Sequence, residues 1–295
     1  MDREPERDYH PDRARNISLV VQVAYGTRRQ RPSRAGRYGL SAFLLILASA
    51  LPAFAGPKPL AQAVDGRCRA GAAQHPFKPS LSAAKRALTE TNRLTIVALG
   101  SSSTAGTGAS DADRSYPAVL EAELRRRLPG REIKVVNLGV GGQSAYEMYL
   151  RLEGEVIPEK PALVIWQTAV NDAIRDIGEE KLAKILRKGA HRLQEAGIDL
   201  VLMDMPWLLR EGRYPKYDDY RAVLAKTASE SGVSVFPRYA MMKSWSGSKQ
   251  FSEEEIVGMD GLQVVEAGYR CFGIRLADGI VSELTGGREP GKPIN

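Results

Sequence analysis

Leu94-Thr95-Ile96-Val97-Ala98-Leu99-Gly100 runs directly into Ser101-Ser102-Ser103-Thr104-Ala105-Gly106. The first half is apolar and β-branched, which reads as a buried strand. The second half is small and polar, the composition of a tight turn. Such a junction puts a serine hydroxyl at the carboxyl edge of a sheet, where open α/β proteins place their chemistry.

The same pattern recurs downstream. Short apolar runs at Ile133–Asn137, Leu163–Thr168, Leu200–Met203 and Val233–Phe236 read as further strands. Helical stripes fall between them. Tyr116, Val119, Leu120, Leu124 and Leu128 share one face, with Pro117 in the first turn. Leu182, Ile185, Leu186 and Leu193 mark a second helix, closed by Gly197. Tyr217–Ser231 and Val265–Leu284 complete the set, with a short helix expected at Leu81–Glu90. Strand and helix alternating at this spacing predict an α/β fold with a doubly wound parallel sheet.

The chain has 295 residues and a formal charge of +7, of which +4 falls on residues 1–55. A modest basic excess with no aromatic interleaving gives no case for nucleic acid as a partner. Arg28 to Arg37 is basic, Phe43-Leu44-Leu45-Ile46-Leu47 is apolar, and Ala53-Phe54-Ala55 is a small-x-small cleavage pattern. This is the layout of a secretory signal. A retained anchor is the alternative, but Pro52 interrupts the run and it falls short of the roughly 20 residues a spanning helix needs. The sequence therefore divides into 1–55 (extension and signal), 56–92 (a lead), 93–284 (the α/β domain) and 285–295 (a tail). Cleavage would deliver the protein to the periplasm or the outside, with no integral membrane domain. Cys68 and Cys271 would survive it, either as one disulfide or as two thiols with Cys271 packed on a helix face. No zinc-finger or metal-ligand spacing is present.

Four stations carry candidate chemistry. Ser102 follows the first strand; alone it is only a polar turn. Asn137-Leu138-Gly139-Val140-Gly141-Gly142-Gln143 follows the second, and its glycines let backbone N–H groups approach a ligand. It lacks dinucleotide-binding spacing, which disfavours a flavodoxin-like cofactor binder. Ala169-Val170-Asn171-Asp172 follows the third strand, where a side-chain amide can stabilise a developing oxyanion or merely cap a helix. Asp260-Gly261-Leu262-Gln263 precedes the last helix.

In order and spacing these four blocks resemble the SGNH (GDSL-type) serine hydrolases, over about Arg93 to Leu284. The resemblance implies a flavodoxin-like three-layer α/β/α sandwich with a central five-stranded parallel sheet. It implies ester hydrolysis without a metal or organic cofactor, on a small-molecule, glycan or lipid ester. Ser102 would be the nucleophile. The Ser102 N–H, Gly142 and Asn171 would form the oxyanion hole, and Asp260 would orient a histidine three residues later. Ser101 replaces the first block's aspartate and Ala169 replaces the third block's glycine.

At the histidine position the residue is Gln263. Glutamine can accept a hydrogen bond from Ser102 but cannot take its proton. Losing the triad base costs roughly 10⁴–10⁶ in turnover and leaves about 10³ over water from the oxyanion hole. His10 lies in the segment expected to be removed, and nothing in the sequence places His75 at the site. His191 is nine residues past Leu182 and projects away from the apolar stripe. Two readings follow: a slow esterase or deacetylase, with Asp260 acting through a water, or an inactive relative that binds an acylated glycan or lipid. Trp207 to Tyr214 is expected to be a loop beside the cleft, suited to a sugar or an anionic acyl group, or else a surface cover.

Overall fold

The structure is a computed structural model in which residues 60–69, 77–209 and 211–286 are described. Among the described residues there are five strands: β1 (Arg93–Gly100), β2 (Glu132–Gly139), β3 (Leu163–Gln167), β4 (Asp199–Met203) and β5 (Ser234–Phe236). All pair in parallel, in the order β2-β1-β3-β4-β5. That is the flavodoxin-like order, whose switch point lies between β1 and β3. The helices are α1 (Leu60–Arg69), α2 (Ser82–Thr91), α3 (Ser102–Ala105), α4 (Tyr116–Arg127), α5 (Ala145–Leu150) and α6 (Val170–Ile174). They continue with α7 (Glu179–Glu195), α8 (Tyr217–Glu230), α9 (Arg238–Gly247), α10 (Glu253–Ile256) and α11 (Glu266–Thr285).

The two faces of the sheet follow from the period of two along each strand. Leu94, Ile96 and Ala98 of β1, Leu163 and Ile165 of β3, and Val201 and Met203 of β4 enter one buried cluster. The intervening Val97 and Leu99, Val164 and Trp166, and Leu200 and Leu202 enter the other. The first cluster is closed by side chains of α1, α2, α4, α9, α10 and α11, the second mainly by those of α5 to α8. Continuous apolar strands buried on both sides thus produce the expected three layers.

Element ends shift by one or two residues from the sequence expectation. β2 is longer than Ile133–Asn137 because it pairs with β1 along its whole length, from Glu132 to Gly139. β5, at the edge, begins at Ser234 because the Val233 N–H is spent on the Ala228 carbonyl, closing α8. The described part of the lead 56–92 carries two helices where the sequence suggests one, and Cys68, Phe77, Leu81, Ala84 and Leu88 are buried in the first cluster. Cys68 and Cys271 are joined in a disulfide, with Cα atoms 5.1 Å apart, tying α1 to α11. The signal-like segment within 1–55, His10, His75 and the last nine residues lie outside the described residues. Among the described residues no helix is long and apolar enough to cross a membrane.

Candidate active site

The turn after β1 is tight because backbone approaches backbone. A Cβ on Gly139 would stand 2.1 Å from the Ala105 nitrogen, and one on Gly100 would stand 2.0 Å from the Thr104 hydroxyl. Only glycine at both positions lets α3 start flush against the strand ends. Gln167, the last residue of β3, fixes this turn from below. Its Oε1 accepts from the Ser101 N–H (2.9 Å), the Ser101 hydroxyl (3.1 Å) and the Thr104 hydroxyl (3.2 Å). Asn137 on β2 holds the other end, donating to the Thr104 carbonyl at 2.8 Å. Gln167 and Asn137 carry no assigned role in the sequence reading. Each is a polar side chain near the end of an apolar run, and that is the signal that marks them.

Ser102 opens α3 and is partly exposed. Gly142 follows β2 at φ +80°, and its carbonyl accepts from the Arg175 guanidinium. Asn171 lies in the first turn of α6, and its Nδ2 donates to the Gln143 carbonyl at 2.8 Å. That bond ties Asn171 to the Gly142-Gln143 turn and uses one of the amide's two hydrogens. Among the described residues nothing takes the backbone N–H of Ser102 or of Gly142. The carboxyl edges of adjacent strands β2, β1 and β3 therefore present two backbone N–H groups and one amide hydrogen without a partner. Asp172 points elsewhere: its Oδ2 accepts the Ala145 N–H at 3.0 Å and so holds the start of α5. Burial raises its carboxyl above the usual range, with the Ala145 bond working against the rise.

Ala169 stands at φ +73°, a left-handed conformation where the resembling block carries glycine. A methyl there is tolerated; a β-branched side chain is not. Ala169 is buried, so Ala169→Val combines backbone strain with overpacking. It should cost about 2 kcal/mol or more, while Ala169→Gly stays within about 1 kcal/mol. Urea unfolding midpoints of the two variants check this ordering.

The Asp260 block forms a turn between Val257 and Val264, which pair as an antiparallel bridge. Asp260 is exposed, and its Oδ1 accepts the N–H groups of Leu262 (3.0 Å) and Gln263 (2.9 Å). The turn lies against the segment that follows α3. The Tyr269 hydroxyl donates to the Thr107 carbonyl at 2.6 Å, and the Val264 carbonyl would be 2.8 Å from a Cβ on Gly108. The Trp207–Tyr214 segment reaches the same turn, through the Leu209 N–H to the Gly261 carbonyl at 3.3 Å. Leu208 is nevertheless buried in the core, so part of that loop is packing.

The sequence leaves Gln263 able to hold the Ser102 hydroxyl; the structure contains no hydrogen bond between them. The glutamine is anchored through its backbone, and the Ser102 hydroxyl has no partner among the described residues. Among the described residues the one histidine is His191. Burial pushes the Tyr116 and Tyr269 phenols up to about 12, so both keep their protons at neutral pH. His191 is exposed on α7 beside Glu195 at 3.3 Å, on the solvated face that the helical period predicts. Among the described residues no group of His, Cys, Asp and Glu is placed to hold a metal ion.

The model of the non-GDSL lipase-like family matches residues 67–285. Esterase TesA of Pseudomonas aeruginosa is 25% identical over 144 residues, covering 48% of this chain and 69% of that protein. A lipase/acylhydrolase from Enterococcus faecalis superposes with a TM-score of 0.56 at 23% identity, over 68% of this chain and all of that one. A two-domain esterase active on acetylated mannans gives 0.60 at 17% identity, over 74% of this chain and 57% of that one. At such identities the structural likenesses show the fold.

Proposed function

Starting from the fact that the chain belongs to the non-GDSL lipase-like family, among the SGNH/GDSL-type ester hydrolases, we propose that it is an exported esterase or deacetylase of low turnover. Ser102 is its nucleophile. The observation that carries this reading is the set of unpartnered donors at the strand ends: the N–H groups of Ser102 and Gly142 and the second hydrogen of the Asn171 amide. Such donors act where an ester carbonyl gains charge as the serine attacks it, and each is worth about 10²–10³ in rate. The Ser102 oxygen forms the bond to the acyl carbon, the alkoxide leaves, and water then releases the acid.

Low turnover follows from the missing base. Gln263 takes no proton, so the Ser102 proton leaves through water, with the exposed Asp260 carboxylate as the acceptor within reach of solvent. The basic-apolar-small order of residues 28–55 supports export, as does the Cys68–Cys271 disulfide, a bond that persists in oxidising compartments.

Turnover of p-nitrophenyl acetate tests the reading. The protein should hydrolyse it slowly but above the uncatalysed rate, and Ser102→Ala should abolish the excess. If the two proteins are equally inert, the fold serves binding of an acylated glycan or lipid, and the hydrolase assignment is wrong.

A further inference from the structure

Behind the Gly142-Gln143 turn lies a groove of about 520 Å³ that does not include Ser102. Its walls come from the start of α5, from α6 and the segment following it, and from the first part of α7. We propose that this groove is a second binding site, and that its ligand is an amphiphilic carboxylate: a free acid carrying an aliphatic chain of medium length.

The chemistry of the lining selects that ligand. Ile177, Leu182 and Ile185 supply aliphatic surface within the groove. Lys181, Lys184 and Lys188 stand above it on α7, three and four residues apart and so along one side of the helix. All three are exposed, and among the described residues none has a carboxylate within 4 Å. The two acids of the lining are already engaged. Glu147 accepts from the Ser144 N–H (2.7 Å) and hydroxyl (2.8 Å), and Asp172 accepts the Ala145 N–H at 3.0 Å. Arg175, the fourth cation, is spent on the Gly142 carbonyl and lies 3.7 Å from Glu147. With Lys181, Lys184, Lys188 and Arg175 against the carboxylates of Glu147 and Asp172, an excess of positive charge therefore borders an apolar cavity whose volume is in the range of ordinary ligand sites, roughly 300–1,000 Å³. A bare inorganic anion would leave the apolar surface uncovered. An acidic sugar could bond the Tyr146 hydroxyl on one wall, but it would set its remaining hydroxyls against Ile177, Leu182 and Ile185, which offer no partner. An aliphatic tail against those residues with its carboxylate among the lysines satisfies both halves.

Calorimetric titration of the whole protein with decanoate, acetate and decyltrimethylammonium tests the assignment. Decanoate should bind, and acetate, which lacks the tail, and decyltrimethylammonium, which reverses the charge, should bind at least about tenfold more weakly. The triple variant Lys181→Gln, Lys184→Gln, Lys188→Gln should weaken decanoate by about tenfold and flatten its dependence on salt. Ser102→Ala should leave decanoate binding unchanged, which separates this site from the hydrolytic one. The proposal is overturned if decanoate does not bind, if the triple variant binds it as well as the parent, if either control ligand matches it, or if Ser102→Ala alters it.

Discussion

Gln263→His should raise the turnover of p-nitrophenyl acetate by about two to four orders of magnitude. Asp260 lies where it could orient an imidazole at residue 263. Asp260 Oδ1 already fixes the backbone of residue 263 at 2.9 Å, and its second oxygen is left to receive a ring N–H. The donors expected to receive the oxyanion are in place without a histidine, so restoring the base should expose their full effect. The new activity should rise with pH through about 6.5, because only the neutral imidazole accepts a proton. The gain must vanish in the double variant carrying Ser102→Ala. A folded Gln263→His protein with no gain would move the defect from the missing base to the oxyanion donors beside Ala169.

The second large effect concerns stability. Replacing the disulfide by Cys68→Ala with Cys271→Ala should cost about 2–5 kcal/mol, because the bond closes a loop of 203 residues in the unfolded chain. For a domain of this size that is a fall in melting temperature of roughly 10 °C. The cost should fall on the junction the bond maintains. α1 meets α11 there through the disulfide and through Asp65, which pairs with Arg270 at 2.6 Å. Thermal unfolding of the double variant, compared with the parent under oxidising conditions, reads this directly. An unchanged melting temperature would mean that the packing of Cys68 and Cys271 holds α1 without the bond.

The sheet was legible in the sequence because its central strands β1, β3 and β4 are buried on both faces. Leu94–Leu99 is apolar apart from Thr95 and Leu163–Trp166 is apolar throughout, and the amphipathic helices between them leave little choice of topology. Short elements were not legible. α5 begins at a capping box in which Ser144 and Glu147 bond one another's backbone, but it spans only six residues and carries no apolar period. α9 was hidden for a different reason. It begins with Arg238, which a sequence reading assigns to the surface, yet this residue is fully buried and its Nε donates to the Asp204 carbonyl at 2.8 Å.

The candidate site was legible where backbone dictates it and illegible where side chains support it. Ser102, Gly142 and Asn171 follow strands that the apolar runs locate. Gln167 draws its importance from Ser101 and Thr104, more than sixty residues earlier, and no local pattern reveals a contact across that distance. The absence of a bond between Gln263 and Ser102 is likewise a fact of packing: the turn is held by the Asp260 carboxylate, by its own backbone hydrogen bonds and by the Leu209 N–H.

The central claim is that the Ser102 hydroxyl is the group this fold presents to an acyl carbon. Covalent labelling with a fluorophosphonate, followed by peptide mass mapping, measures it most directly. The account predicts one adduct, on Ser102, forming slowly in the natural chain and far faster in Gln263→His. An adduct on any other residue, or a rate of labelling at Ser102 that the histidine does not change, would contradict it.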